Sequence, residues 1–321
     1  MKKRWFLFLL FSAALAARTT LVDLDGVFAS PRATALGMSG AAEARAEDIF
    51  LNQFGLAGLQ NFGFYGSSYR LYDDTNYLNG VLYFPAGPVG LGVGYRLRAV
   101  NDVLLTPPDM FGTDGRLDLD RIERVNYQQS ALHLSAGYRL EHFLGWQALD
   151  LGLAYKSYTV QNSAADLDSL TAQGSNVDLG FLARVNDLWR WSLIGRNVVN
   201  GDGVQGSLVW RSGTAEQMVR SVVLGNRLAF NENRLIFLLD VNYYAEDYAP
   251  VLLNAGAEGR INNFLALRGG LRQYTLLTGG GEQRVFTAVS AGFGLNPWRG
   301  IQLDYAYYPG DDLGLEALHY A

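Results

Sequence analysis

The sequence predicts an all-β protein, a transmembrane antiparallel up-and-down β-barrel of about fourteen strands. Three observations predict it. Apolar and polar residues alternate with a period of two from about residue 60 to the end of the chain. The predicted strands run about ten to thirteen residues, which is enough to cross a bilayer at a tilt of roughly 45°. Short and long connections between them alternate, as they do in outer-membrane barrels.

The alternation is clearest around residue 240. Leu235, Phe237 and Leu239 fall on one face of an extended chain, whereas Asp240 and Asn242 fall on the other. Similar patterns recur along the chain. We place strands near 60–72, 77–85, 88–99, 126–140, 147–160, 174–186, 188–196, 218–230, 233–244, 250–260, 264–274, 283–295, 299–308 and 314–321. The stretch 197–217 is ambiguous, since 206–211 fits an extra strand, a lumenal segment or a loop, and counts of twelve or sixteen stay open.

The connections divide into two classes. The tight ones include Ala86-Gly87, Asn186-Asp187 and Asn262-Asn263, whereas 100–125 and 161–173 are long. Outer-membrane barrels have short periplasmic turns and long extracellular loops, so this register places both ends of the barrel on the periplasmic side. The charged loop 100–125 fits either a partner contact or a solvated loop.

Composition supports a membrane barrel and excludes other classes. Charged residues make up only 18% of the chain, yet no apolar run after the N-terminus is long enough for a membrane helix. In a membrane barrel, apolar residues that face lipid alternate with residues that face the lumen. The charged fraction is therefore low although no long apolar run is present. The net charge of −5 does not indicate nucleic-acid binding. The absence of cysteine excludes disulfides and thiolate metal sites, and we expect no cofactor.

The N-terminus predicts secretion. Lys2, Lys3 and Arg4 precede an apolar run that ends in small residues, as in a signal peptide, and we assign it to residues 1–16. Residues 17–59 lack a period of two and form a separate N-terminal segment. Residues 60–321 form the barrel.

The N-terminal segment resembles the opening signature of the PorV/PorQ family of outer-membrane proteins. The matching runs are Pro31-Arg32-Ala33-Thr34-Ala35-Leu36-Gly37-Met38-Ser39-Gly40-Ala41, then Glu47-Asp48, then Asn52-Gln53-Phe54-Gly55-Leu56-Ala57. The resemblance implies a barrel like that of FadL, with fourteen strands and an N-terminal plug segment in the lumen. It also implies a role in type IX protein secretion or surface attachment, with a translocon and secreted cargo proteins as partners besides outer-membrane lipid.

The plug segment contributes the first set of candidate site residues. A fixed plug and a moving gate both fit its small residues. Glycines permit close backbone approach, and the charged residues can pair with charges on the wall. The plug-motif candidates are Arg32, Gly37, Gly40, Asp48, Asn52 and Gly55.

Polar residues on the predicted inner face form the second set. Mixed charges inside a barrel fit either a structural network or a substrate path. The lumen-facing candidates are Arg96, Arg139, Asp150, Lys156, Asp240, Glu258, Arg268, Arg272 and Asp304.

No convergent catalytic set is visible, and we expect a protein that is not an enzyme. Ser135 lies two residues from His133, but alternation alone puts such a pair on one face. Three functions stay open. The function that we expect is that of a PorV/PorQ-like barrel that acts by binding partners. The alternatives are a FadL-like transporter of hydrophobic small molecules such as long-chain fatty acids and a purely structural barrel. The transporter predicts an apolar pocket near the plug and a kinked or interrupted strand that provides a lateral exit.

Overall fold

The structure is a computed structural model of the 321-residue chain. It describes residues 29–45, 47, 49–71, 75–105, 123–162, 171–245, 248–277, 283–298, 300–309 and 318–320. The predicted signal peptide and most of the loop 100–125 lie outside these residues.

The described chain is dominated by antiparallel strands. They are β1 (Gly63–Leu71), β2 (Thr75–Ala86), β3 (Val89–Leu105), β4 (Glu123–Glu141), β5 (Ala148–Asn162), β6 (Ala172–Arg184), β7 (Trp189–Arg196), β8 (Ser207–Trp210), β9 (Ala215–Gln217), β10 (Ser221–Phe230), β11 (Leu235–Tyr244), β12 (Leu252–Arg260), β13 (Leu265–Leu277), β14 (Gln283–Trp298), β15 (Ile301–Tyr308) and β16 (Leu318–Tyr320). A short helix, α1 (Pro31–Ala35), and 3-10 turns at Gln53–Gly58 and Phe143–Gly145 complete the elements. No helix in the described ranges is long and apolar enough to cross a membrane.

Fourteen strands follow one another in a single up-and-down wall. The order runs from β1 to β7 and then from β10 to β16, and each pair is antiparallel. β16 contacts β1, so the two ends of the wall meet. The predicted fold class and the predicted fourteen wall strands are confirmed.

Burial follows the predicted alternation along the wall. On β11, Leu235, Phe237 and Leu239 are exposed, whereas Asp240 and Asn242 are buried. The exposed apolar residues recur on the outer face of the other strands and form the belt that faces lipid in an outer-membrane barrel. The polar residues of the opposite face point into the lumen.

The wall is interrupted where β7 ends, because β7 pairs with only part of β6. β7 pairs with β6 only up to Gly195, opposite Leu179, and Asn197 then takes a left-handed backbone conformation. The short hairpin of β8 and β9 fills the space beside the upper part of β6. The ambiguous stretch 197–217 therefore contains two extra short strands, and Leu208 and Met218 bury against the inner face of β5.

The tight turns at one end are stabilised by asparagine side chains. Asn186 Oδ1 accepts hydrogen bonds from the backbone N–H groups of Leu188 and Trp189, and Asn262 Oδ1 accepts in the same way from Phe264 and Leu265. Such local bonds replace ladder bonds where the chain reverses. We call this end of the barrel, which carries the tight turns, the periplasmic end.

Candidate functional site

The N-terminal segment lies inside the barrel and forms a plug, defined here as the described residues between Ala29 and Leu59. Almost all of it is buried although it contains no strand. Ser30 caps α1 by accepting a hydrogen bond from the Ala33 N–H at 3.0 Å, and Pro31 occupies the first turn, where no N–H is needed. The predicted lumenal segment thus adopts a compact, capped structure.

Asn52 joins two parts of the plug. Its Oδ1 accepts from the N–H groups of Phe54 and Gly55, which begins the 3-10 turn. Its Nδ2 donates to the carbonyl oxygens of Ala41 at 2.6 Å and Glu43 at 3.0 Å. A Cβ on Gly55 would stand 2.7 Å from the Ala44 Cα, so this position requires glycine for close packing.

Glycines of the wall make room for one side of the plug. A Cβ on Gly90 would lie within 3.0 Å of the Leu56 carbonyl, and a Cβ on Gly152 or Gly180 would collide with the Phe54 ring. Real Cβ atoms do not approach other atoms so closely. The glycines of β3, β5 and β6 are therefore seats for plug residues.

The other side of the plug is seated in the same way. A Cβ on Gly225 of β10 would stand 2.7 Å from the Ala41 Cβ. On β13, a Cβ on Gly270 would collide with the backbone at Gly37, which itself has φ of +66°. The plug backbone thus lies directly on the wall at both sides of the lumen.

Asp240 of β11 anchors the plug backbone. Its Oδ2 accepts hydrogen bonds from the N–H groups of Gly40 at 2.8 Å and Ala41 at 2.9 Å. Hydrogen bonds to a carboxylate are stronger than those between neutral groups. Two candidates that the sequence placed in separate sets, Gly40 and Asp240, are therefore in direct contact.

Four further candidates meet in one ionic cluster. Glu258 Oε2 accepts from Arg32 Nε at 2.9 Å and from Arg268 Nε at 2.8 Å. Arg268 also donates to Asp304 at 2.6 Å. All four side chains are buried or nearly so. The plug is thereby tied by charge to β12, β13 and β15.

Glu43 is a plug residue that the sequence analysis did not single out. Its Oε1 lies 2.9 Å from Arg227 Nε and 3.7 Å from Arg32 Nη2. Burial alone would raise the pKa of Glu43, but Arg32, Arg227 and Arg45 together hold its pKa below the ordinary value. The run 41–48 contains three acidic residues, and nothing in a single sequence ranks them. Asp48, the acidic residue that we selected, lies outside the described residues.

Arg139 and Asp150 form a bidentate ion pair between β4 and β5, with distances of 2.7 and 2.8 Å. Arg184 approaches the same carboxylate at 3.6 Å. This pair lies beside the plug, since a Cβ on Gly58 would collide with the Arg139 and Arg184 guanidinium groups.

Lys156 forms a second, deeper ion pair with Asp178 at 2.7 Å, and both side chains are buried. The plug residue Gln53 donates to the same carboxylate at 3.0 Å, and so does the Asn197 backbone N–H at 2.8 Å. Asp178 therefore links the plug to the point at which the wall is interrupted.

The remaining candidates lie apart from these clusters. Arg96 donates to Asn79 Oδ1 at 3.3 Å and stacks over the Phe50 ring of the plug at 4.8 Å. Arg272 lies on the same face of β13 as Arg268 and is half-buried. The structure thus places most of the lumen-facing candidates in a network with the plug.

The Ser135 and His133 pair is packed into the interior. The His133 side chain is fully buried and meets the Phe50 ring edge-on, with 5.2 Å between ring centroids. Ser135 is also buried. Among the described residues, no group of three or more His, Cys, Asp or Glu side chains could hold a metal ion.

A cleft of about 750 Å³ opens between the two ends of the wall, beside the plug. β16 pairs with β15 only at Ala306–Tyr308. Nearer the periplasmic end, the described ladders pair β15 only with β14, and β1 only with β2. The plug contributes Pro31 and Glu47 to the cleft. The wall residues that line it are Phe64, Tyr65, Gly66, Tyr83, Phe293, Leu295, Asn296, Gly300, Ile301, Gln302, Leu303, Asp304 and Tyr305.

No protein-family model matches the sequence, and no curated protein matches it. Solved structures do match the fold. The CymD monoaromatic hydrocarbon channel aligns at 13% identity over 92% of this chain and 95% of its own, with a TM-score of 0.55. The toluene transporter TodX of P. putida aligns at 12% identity over 93% and 96%, with a TM-score of 0.60.

The chain has the fold of a FadL-like outer-membrane barrel. The TodX deltaS2S3 mutant, also a monoaromatic hydrocarbon channel, aligns at 10% identity over 91% of this chain and 96% of its own, with a TM-score of 0.56. At these identities the likeness extends to the fold alone.

Proposed function

We propose that this protein is a FadL-like outer-membrane channel that passes hydrophobic small molecules through the cleft between β1 and β15. The observation that carries the proposal is the cleft itself. Its volume of about 750 Å³ falls within the roughly 300–1,000 Å³ of small-molecule sites. It joins the plug on the inside to the lipid-facing surface on the outside.

The rim of the cleft is apolar where it meets lipid. Phe64 of β1 is 73% exposed and Leu303 of β15 is 56% exposed, more than most outward-facing residues of the wall. Phe293 and Ile301 continue this surface. A hydrophobic solute at this rim would contact apolar side chains where the protein meets lipid.

The fixed plug favours this route over one straight through the barrel. To move the plug aside, the protein would have to break the buried contacts of Arg32 with Glu258 and of Glu43 with Arg227. Breaking one buried ion pair costs about 3–5 kcal/mol. A solute that passes through the wall beside Pro31 leaves both of these ion pairs intact.

The comparisons support the same class of substrate. Two of the structures similar to this fold are a monoaromatic hydrocarbon channel and a toluene transporter. Such compounds, and long-chain fatty acids, are the solutes that we propose for this chain. The cleft lies beside the plug, where such a transporter is expected to have a pocket, but its lining is partly polar, and the opening lies between β1 and β15 rather than at an interrupted strand.

The test is uptake of radiolabelled toluene and oleate by Gram-negative cells that express the protein. We expect uptake above that of cells without it, and loss of most of the increment in Leu303→Trp, which fills the cleft. Leu239→Trp is the matched control, because Leu239 is also outward-facing and exposed but lies on β11. Equal uptake with and without the protein would refute the proposal.

A partner-binding role of the PorV/PorQ type is the second candidate. It is supported by the N-terminal signature, whose residues Arg32, Gly37, Gly40 and Asn52 all make plug contacts, and by the fixed plug, which suits a closed barrel. In this proposal a secretion translocon and secreted cargo are the partners. Affinity purification from detergent-solubilised outer membranes would recover a large translocon barrel or cargo in this case, and a lone barrel with bound hydrophobic solute in the first.

A further inference from the structure

A second, polar pocket of about 240 Å³ lies at the periplasmic end, next to the cleft. Three guanidinium groups line it, those of Arg45, Arg260 and Arg268, against the single carboxylate of Glu258. Asn296 and Gln302 line both this pocket and the cleft, so the two cavities are contiguous. The remaining lining residues are Asn262, Asn263 and Ala266.

Arg260 is the most weakly held of the three cations. Glu258 directs its Oε2 to Arg32 and Arg268, at 2.9 and 2.8 Å. Arg260 reaches only the other oxygen, at 3.5 Å, and its side chain is 41% exposed. Arg45 by contrast has Glu47 at 3.1 Å. An anion that enters the pocket could therefore accept hydrogen bonds from the guanidinium group of Arg260.

The surface next to the pocket is lipid-facing. Trp298 is 69% exposed at the end of β14, and Ile301 and Leu303 follow on β15. Tryptophan is enriched where a barrel meets the membrane interface. The pocket thus lies at head-group depth, immediately beside apolar surface that acyl chains contact.

We propose that this pocket binds the phosphate group of a phospholipid from the periplasmic leaflet, with the acyl chains along β15 and the rim of the cleft. Guanidinium groups match the geometry of phosphate oxygens and bind them bidentately. Glu258 opposes the anion, but its Oε2 already pairs with Arg32 and Arg268, and Arg260 is the guanidinium group that faces the phosphate. The inference does not rest on transport and applies equally to a partner-binding barrel.

The test is binding of phosphatidylglycerol to the delipidated full-length protein in detergent, measured by native mass spectrometry. We expect Arg260→Gln to weaken binding about tenfold, as the loss of a charge-assisted contact does. Arg70→Gln is the control, because Arg70 is also an exposed arginine of the wall but lies at the end of β1 that is away from the cleft. Equal affinity in the wild-type protein and Arg260→Gln would overturn the proposal.

Three further measurements test whether binding needs both the phosphate group and the acyl chains of the lipid. Diacylglycerol, which lacks phosphate, should bind much more weakly than phosphatidylglycerol. Glycerol phosphate and inorganic phosphate, which lack chains, should also bind more weakly. Leu303→Asn should weaken lipid binding and Leu239→Asn should not. Free phosphate that binds as tightly as the lipid would reduce the pocket to an anion site, and diacylglycerol that binds as tightly would reduce it to an apolar surface. Either result contradicts the proposal.

Discussion

Gly37 of the plug lies against Gly270 of β13 with no space for a side chain between the two backbones, since a Cβ on Gly270 would stand within 3.0 Å of the Gly37 amide nitrogen. This contact shows that plug and wall are built to fit one another. It also indicates that small changes on the inner wall should displace the plug.

Replacing Gly270 with alanine should therefore loosen the plug. The atoms in the way belong to backbone and cannot rotate aside, so we expect destabilisation of about 1–3 kcal/mol, as for overpacked cores. Gly269→Ala is the control, because its Cβ would meet nothing nearer than 4.0 Å. The thermal midpoint and hydrogen exchange of residues 36–42 measure the effect. Equal behaviour of the two variants would mean that the plug is not seated on β13.

Asp240 should hold the plug backbone locally. Asp240→Ala leaves the N–H groups of Gly40 and Ala41 buried without an acceptor, at about 1–3 kcal/mol. We expect hydrogen exchange to rise at these two amides more than at Phe54, which Asn52 caps. A uniform rise along the plug would instead indicate global loosening, and no rise would contradict the anchor.

Asn52 offers a graded test of the plug's internal structure. Asn52→Asp keeps the acceptor for Phe54 and Gly55 but loses the donors to Ala41 and Glu43. Asn52→Ala loses both, and loss of such a cap costs about 0.5–2 kcal/mol. The expected order of thermal midpoint is wild-type, then Asn52→Asp, then Asn52→Ala. Equal midpoints of the wild-type protein and Asn52→Asp would show that the donor bonds contribute nothing. Reversal of the two variants would show that the acceptor bonds do not outweigh the cost of a carboxylate that faces the Ala41 and Glu43 carbonyl oxygens.

Acid should weaken the plug through Glu43. The neighbouring arginines hold its pKa below the ordinary glutamate value of about 4.3. A carboxyl group with a depressed pKa in the folded state contributes stability above its unfolded pKa, and this contribution is lost as the pH falls through the folded pKa. Protease cleavage of the plug should therefore increase below about pH 4.

Glu43→Gln separates this effect from general acid unfolding. The variant leaves Arg227 buried without its carboxylate, so cleavage should already be raised at pH 7 and should change less with pH. A pH response equal to that of the wild-type protein would assign the acid sensitivity to other groups.

Much of the wall could be predicted from sequence, because apolar and polar residues alternate along each strand. Outward-facing residues such as Leu239 contact lipid, and inward-facing residues such as Asp240 face the lumen. The same pattern predicted β7 and β10, the strands on the two sides of the stretch 197–217. The sequence does not determine how 197–217 folds, because Leu208 buries against β5, which lies far away in sequence.

The site was less predictable. Charged inner residues could be named singly, but their partners lie up to 226 positions apart, as Arg32 and Glu258 do. A strand glycine such as Gly90 is compatible with crowding in the wall, but the sequence does not reveal that Leu56 causes it. The residues that line the cleft could not be predicted, since they come from the plug and from both ends of the wall, which lie far apart in sequence.

The most direct test of the central claim is to close the cleft covalently. The chain contains no cysteine, so Phe64→Cys with Leu303→Cys introduces the only thiols, which a bismaleimide can join across the opening. Phe237→Cys with Ala257→Cys, which face each other in the continuous wall, is the matched control. We predict that cross-linking abolishes most of the toluene and oleate uptake in the first pair and leaves it unchanged in the control. Unchanged uptake in the joined Phe64→Cys and Leu303→Cys protein would contradict transport through the cleft.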